Sequence, residues 1–415
     1  MKKLISLLLA LALVLAVAVA SAETIKLTVW GGEFDQDFLA ERVEAFKAAY
    51  PDQAFDIQIG VESESTAKDT VLTDPQAAAD VYSFASDQLN ELINAGALIN
   101  LDGEFGQALG MAGKTVEDIK AANVPVSIDS ATKDGNLYAF PNSFDNGYFL
   151  FYDANVFSAE DVQTWDSLLA VAAEKGEGRK VGMTLSSGWY NAGFFYGAGF
   201  TTGLNADGTT AIDWNGTAPS GVTGVQVVQA MLKIAADPAF RAIADGDISN
   251  QIASGNVCAV VSGTWDAPAA QKAFGDGYAA TKLPTYTVGE TQVQTGSVGG
   301  GKLTGVNGFS MNSGWAVVLA DFLTNEESQA RHFETNEIGP SNIVAQSNPA
   351  VAENLAIRAL GEQSAFASIQ EVGGKYWDPT ATFGERIAQG AIASDDASVQ
   401  TALDELVQGV TAPIE

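Results

Sequence analysis

Few residue types in this chain could do covalent or metal chemistry, and their spacing limits them further. The single histidine, His332, lies in SQARHFETNE, a polar helical pattern, and reads as an exposed surface residue. The single cysteine, Cys258, sits inside the apolar run VCAVVSG. One imidazole and one lone thiol give poor support to a zinc site or to a Ser-His or Cys-His triad, each of which needs several such groups together. GPSNI at 339–343 lacks the last glycine of a nucleophile elbow. GSVGGGK at 296–302 matches a phosphate-binding loop as far as the lysine, but Leu303 stands where a magnesium-binding hydroxyl is needed. A flexible turn is the better reading. Carboxylates are abundant, so counting alone does not dismiss a two-carboxylate glycosidase, yet no pair stands out by spacing. The expectation is a chain with no catalytic residues, no metal and no cofactor.

The aromatic residues are more informative. Trp30, Trp189, Trp265 and Trp377 share one context, in TVWGGEFD, SSGWYNAG, SGTWDAPA and KYWDPTAT. Each lies at or just after a strand pattern, or in a loop, beside small or polar residues. An indole there can cover the apolar face of a pyranose while neighbouring Asp, Glu or Asn take its hydroxyls. A single such Trp is as readily a packing residue; four together favour a sugar site. Trp165 and Trp315 sit on helical patterns and read as core, and Trp214, in a polar loop, is uninformative. Pro379 is expected to end regular structure after Trp377 and leave that ring in a loop.

These residues need elements to hold them. Ile25, Leu27 and Val29 alternate with polar residues as a strand does, Phe38 to Tyr50 carries helical spacing, and Phe55–Ile59 and Asp80–Phe84 read as strands. Ser86 is a plausible N-cap for a helix with Leu89, Leu92 and Ile93, stopped at Gly96. The alternation resumes with strands at 137–143, 181–185 and 257–261, and with helices at 164–175, 222–235, 315–324 and 402–410. Alternating strands and helices predict a parallel α/β sheet. Ligands of such sheets bind beyond the carboxyl ends of the strands.

The first 22 residues, MKKLISLLLALALVLAVAVASA, combine a positive start, an uncharged apolar run and an Ala-Ser-Ala site. They are expected to be a cleaved signal peptide rather than a membrane anchor. No cysteine follows that site, so no lipid-modified N-terminus is expected. The protein should act outside the inner membrane, periplasmic or secreted. Its 415 residues exceed the size at which one core stops growing, which makes two domains the default. A net charge of −30 disfavours nucleic acid and anionic lipid and suits a neutral or cationic ligand.

Several segments resemble the maltose-binding protein family, the extracellular solute-binding proteins of carbohydrate ABC importers. They are IKLTVWGGEFDQDF, AADVYSFASDQLNELINAGALINL, DGNLYAFPNSFDNGYFLFYDANVF, ASGNVCAVVSGTWD, GKLTGVNGFSMNSGWAVVLADFLTNEESQARHFE and YWDPTATFGERIAQG, in the family's order over nearly the whole chain after the signal. The resemblance implies an α/β, two-lobed periplasmic-binding-protein fold with a hinge and an interlobe ligand cleft. It implies a first lobe of residues 23–143 plus 300–334 and a second of 147–296 plus 342–415, with crossings near 143–147, 296–301 and 334–342. By position, Glu33 matches a polar sugar contact, Asp87 a hydroxyl-binding acid and Asp145 an acid of the first crossing. Tyr190, Trp265 and Trp377 match stacking aromatics. Gln88 stands where maltodextrin binders often carry Arg. Asp87 also fits the favourable first turn of a helix, and Asp145 a cap of the hinge. The implied function is a monomeric receptor that delivers maltose or malto-oligosaccharides to a membrane permease. The alternatives are an exported carbohydrate-active enzyme and a surface carbohydrate sensor or adhesin.

Overall fold

The computed structural model describes residues 24–413 except 206 and 370, so the expected signal peptide lies outside the described residues. Two five-stranded sheets organise the chain. In the first, Ile25–Gly31 pairs in parallel with Phe55–Val61 and with Val81–Ala85. Lys302–Val306 then runs antiparallel between Val81–Ala85 and Ala139–Ser143. In the second, Phe240–Ala242, Lys180–Met183 and Val257–Ser262 run parallel, and Phe149–Asp153 and Tyr278–Thr281 are antiparallel additions. The sheets are therefore mixed rather than purely parallel. Of the antiparallel strands, Ala139–Ser143, Phe149–Asp153 and Lys302–Val306 lie next to the points where the chain passes from one sheet to the other, and these do not follow the strand–helix–strand pattern that sequence periodicity reveals.

Local rules account for the elements. In Ile25–Gly31 the residues Leu27, Val29 and Gly31 are buried at period two. Val257–Ser262 is buried at every position, which is why it reads as an unbroken apolar run. The helix Gln36–Ala49 buries Phe38, Leu39, Val43 and Phe46 on one stripe. Thr164 caps Trp165–Lys175 by accepting the Ser167 N–H, and Thr223 with Gln226 forms a capping box before Gly224–Ala235. Ser86 is not an N-cap: a short 3-10 turn, Ser86–Gln88, precedes the helix Leu89–Asn94, and the Ser86 hydroxyl instead accepts the Gly301 N–H at 3.3 Å.

Each sheet has its own core. One core is built from residues between Leu27 and Phe140 with Leu303–Leu323, the other from residues between Tyr148 and Val298 with Ala356–Val410. Two mixed-sheet lobes are thus connected by three passages of chain. Trp165 is fully buried in the second core, as expected. Trp315 packs edge-on against Phe46, Tyr50 and Phe55 at 5.1–6.4 Å. Trp214, uninformative in sequence, is also fully buried and lies flat on Phe195 at 4.1 Å. His332 is not a surface residue: it is 3% exposed and stacks on Phe38 at 4.2 Å. The stretch GSVGGGK is not a flexible turn, because it contains the strand Ser297–Gly299 and the start of Lys302–Val306.

Candidate functional site

The three parallel strands of the first lobe end together at Gly31, Val61 and Ala85. The segments after them carry Glu33 and Asp35, Glu64, and Asp87 respectively. The three parallel strands of the second lobe end at Met183, Ala242 and Ser262, followed by Trp189 and Tyr190, by Asp245, and by Trp265. One strand edge presents carboxylates and the other chiefly aromatic rings.

The crossings bring these edges together. Phe144 N–H donates to Gly339 O at 3.0 Å, and Asn146 N–H to Gly300 O at 3.2 Å. Asp145 Oδ2 accepts from Gly339 N at 3.2 Å and from Thr264 Oγ1, just before Trp265, at 3.2 Å. Beside them a groove of about 340 Å³ is shared by the lobes. Ser86, Asp87, Asn90, Glu91, Asp129 and Lys133 line it from the first lobe, and Leu204, Ile369, Glu371 and Val372 from the second. The Asn90 Oδ1 is buried and has no protein partner, an acceptor available to a hydroxyl.

Fixed charges support the first wall. Lys302 Nζ pairs with Glu64 Oε1 at 2.6 Å. Burial alone would lower the pKa of this lysine, but the carboxylates of Glu64, Asp145 and Asp35 outweigh it and hold the ammonium charged. Asp35 Oδ1 accepts from His332 Nε2 at 2.8 Å and from Asn336 Nδ2 at 2.9 Å. Against the effect of burial, His332 and Lys302 keep this carboxyl below its usual range. Asn336 also donates to Phe34 O at 3.0 Å, so the turn 33–35 is pinned to the helix Glu326–Asn336. Asp87 behaves oppositely: burial beside the groove pushes its carboxyl up, and its own backbone N–H and Lys68 offset this only in part.

Of the residues expected to bind, Glu33 is exposed on the turn and Asp87 is half-buried on the groove. Trp189, Tyr190, Trp265 and Trp377 belong to one wall. Tyr190 is buried, packs 4.9 Å from Tyr148 and hydrogen-bonds Ser262, which donates to Asp266 next to Trp265. Trp189 is half-buried and edge-on to Tyr148 at 6.1 Å. Tyr376 donates to Gly188 O at 3.0 Å and carries Trp377 edge-on at 5.2 Å. Trp377 opens the helix Trp377–Ala388 rather than a loop, since Pro379 falls in the first turn, where a missing N–H costs nothing. Trp265 is the most open of the four at 45% exposure. Its indole lies against Gly263, where a Cβ would meet three ring atoms at 2.2–2.6 Å.

Two expected residues stand apart. Trp30 is half-buried against the first core with its ring over Gly60. Asp145 is 2% exposed, and both its oxygens accept bonds within the crossing, Oδ1 from Ser143 Oγ at 2.6 Å. Sequence reasoning missed Phe34, which is 92% exposed beside Glu33. The available signal was its place between two acids, Glu33 and Asp35.

Two lobes joined by three crossings form the framework of a receptor cleft, and comparison with known proteins identifies which. The family model described as bacterial extracellular solute-binding protein matches residues 41–359. The chain belongs to this family. Among curated proteins it is 25% identical over 414 residues to the galactooligosaccharide-binding protein of Bacillus subtilis (strain 168), covering 95% of this chain and 91% of that one. A structure solved with acarbose shares 31% identity and a TM-score of 0.80, covering 94% of this chain and 99% of its own. A maltodextrin-binding protein from L. casei BL23, without ligand, gives 22% identity and a TM-score of 0.77 over the same shares, which is likeness of fold. Membership places this solute-binding protein outside the cytoplasm. Among the described residues no helix is long and apolar enough to cross a membrane.

Proposed function

We propose that this solute-binding protein captures a neutral oligosaccharide between its lobes and presents it to the permease of an ABC importer, without chemical change to the sugar. The reading rests on the strand ends of the two lobes, which carry Glu33 and Asp87 in the first and Trp189, Tyr190, Trp265 and Trp377 in the second and are joined by the crossings. Rings cover the C–H faces of pyranoses, and carboxylates accept their hydroxyls. The lobes would be residues 23–143 plus 300–334 and 147–296 plus 342–415, with closure about the three crossings. The similarity to a galactooligosaccharide-binding protein and to a structure solved with acarbose supports an oligosaccharide. Malto-oligosaccharides lead among the candidates, and galacto-oligosaccharides are the competing class. A cleaved signal peptide ending at residue 22 would place the mature protein in the periplasm or medium. Thermal melts with maltose, maltotriose, galacto-oligosaccharides and acarbose test the reading. Binding at about micromolar affinity is roughly −8 kcal/mol, and ligand at about 100 times that constant adds roughly 2.7 kcal/mol of stability. A melting transition indifferent to every sugar on the panel overturns the assignment, and sugar consumed during incubation points to an enzyme instead.

A further inference from the structure

We infer that Asp145 is a positioning residue that registers the Trp265 loop to the hinge, rather than a direct contact to the ligand. Its carboxylate joins three parts of the molecule. Oδ1 accepts Ser143 Oγ at the end of a first-lobe strand. Oδ2 accepts the Gly339 N–H of the third passage and Thr264 Oγ1 of the second lobe, both at 3.2 Å. The approach is close on the Gly339 side, where a Cβ would lie 3.0 Å from Asp145 Cβ. Lys302 of the first lobe supplies the compensating charge nearby. Asp145 is 2% exposed and so offers almost no surface to a ligand.

The consequence lies one residue away. Trp265 sits between Thr264, held by Asp145, and Asp266, which accepts Ser262 Oγ at 2.5 Å and also the Ser249 hydroxyl. The first anchor belongs to the hinge and the second to the second lobe. The half-open indole between them is therefore anchored to the hinge as well as to its own lobe. Releasing the Thr264 anchor leaves the ring attached to one lobe only, and the two walls then lose their common register on the sugar.

Thr264→Val removes the hydroxyl, keeps the side-chain shape and leaves Asp145 its bonds to Ser143 and Gly339. The test rests on the sugar-binding reading for one arm and is independent of it for the other. In the ligand-free full-length protein, acrylamide quenching of the emission component that Trp265→Ala removes is expected to at least double in Thr264→Val, with Thr264→Ser restoring the wild-type value. Unchanged quenching overturns the inference whatever the ligand. In the sugar arm, Thr264→Val is expected to weaken maltotriose binding about tenfold and Thr264→Ser less than twofold. In the Trp265→Ala background, Thr264→Val is expected to cost under twofold. An equal tenfold cost with and without the indole assigns Thr264 a role unrelated to Trp265 and also overturns the inference. Wild-type protein that binds no sugar refutes the proposed function alone, because the quenching arm still decides the register.

Discussion

Truncating Trp265 separates a ligand-facing ring from a packing ring most sharply. A Trp side chain presents up to about 250 Å². With Trp265 45% exposed, about 110 Å² stands open in the ligand-free protein. Covering all of it at about 25 cal/mol per Å² is worth nearly 3 kcal/mol, and a pyranose resting on one face recovers about 2 kcal/mol. Trp265→Ala should therefore weaken oligosaccharide binding about 30-fold. The other half of the ring rests on Gly263, in a short turn held by its flanking residues, so the ligand-free protein should lose only about 1–2 kcal/mol. A core Trp such as Trp214 should cost about 3–5 kcal/mol on the same change. Gly263→Ala provides a second route to the same end. The added methyl takes the space of the indole, so the ring must leave its position, and affinity should fall by a similar factor while Trp265 itself remains. The assay is sugar titration of each variant beside melts of the ligand-free protein. Affinity within twofold of wild type, together with a loss above about 3 kcal/mol in the ligand-free state, would refute the reasoning.

Three further outcomes follow from the same geometry. Burial raises the Asp87 carboxyl, so the folded state holds a proton there more readily than the unfolded chain; stability from this group is full below the unfolded value near 4 and falls as pH rises through the raised folded value. Asp87→Asn should accordingly raise the melting temperature of the ligand-free protein at pH 7 while weakening sugar binding, and a lowered melting temperature would contradict the assignment. Trp377→Ala should weaken binding by at least about 1–3 kcal/mol with a smaller loss of stability than Trp214→Ala, measured by the same titrations and melts. Cys258 is buried and its thiol is pushed up to about 11, so it should resist a thiol reagent at pH 8 until the protein is unfolded; rapid reaction of the native protein would show the second sheet to be open there.

Much of this architecture is legible in the sequence because the strands and helices obey their periods. The run VCAVVSG reads as a strand buried on both faces, and Thr164 marks a helix start by its chemistry. What the sequence hides is what tertiary contact decides. Lys302–Val306 joins the first sheet antiparallel from over 200 residues away, and nothing local encodes that partner. His332 looks polar and exposed in its helix because Asp35 and Phe38, which bury it, come from the opposite end of the chain. Trp214 lies in a polar loop that folds over Phe195. The Trp residues stand out in the sequence, whereas the hinge bonding of Asp145 needs Gly339 and Thr264 to be placed beside it. Pro379 misled because a proline that ends most elements is also at home in the first turn of a helix.

The central claim is that the two walls hold a neutral oligosaccharide without altering it. Titration calorimetry of the full-length protein with maltotriose, repeated with a galacto-oligosaccharide, measures both halves of that claim at once. The account predicts a saturable one-to-one heat for at least one of the two, with a dissociation constant of about micromolar and a flat baseline after each injection. No heat with either sugar, or a steady heat that persists until the sugar is consumed, would contradict it.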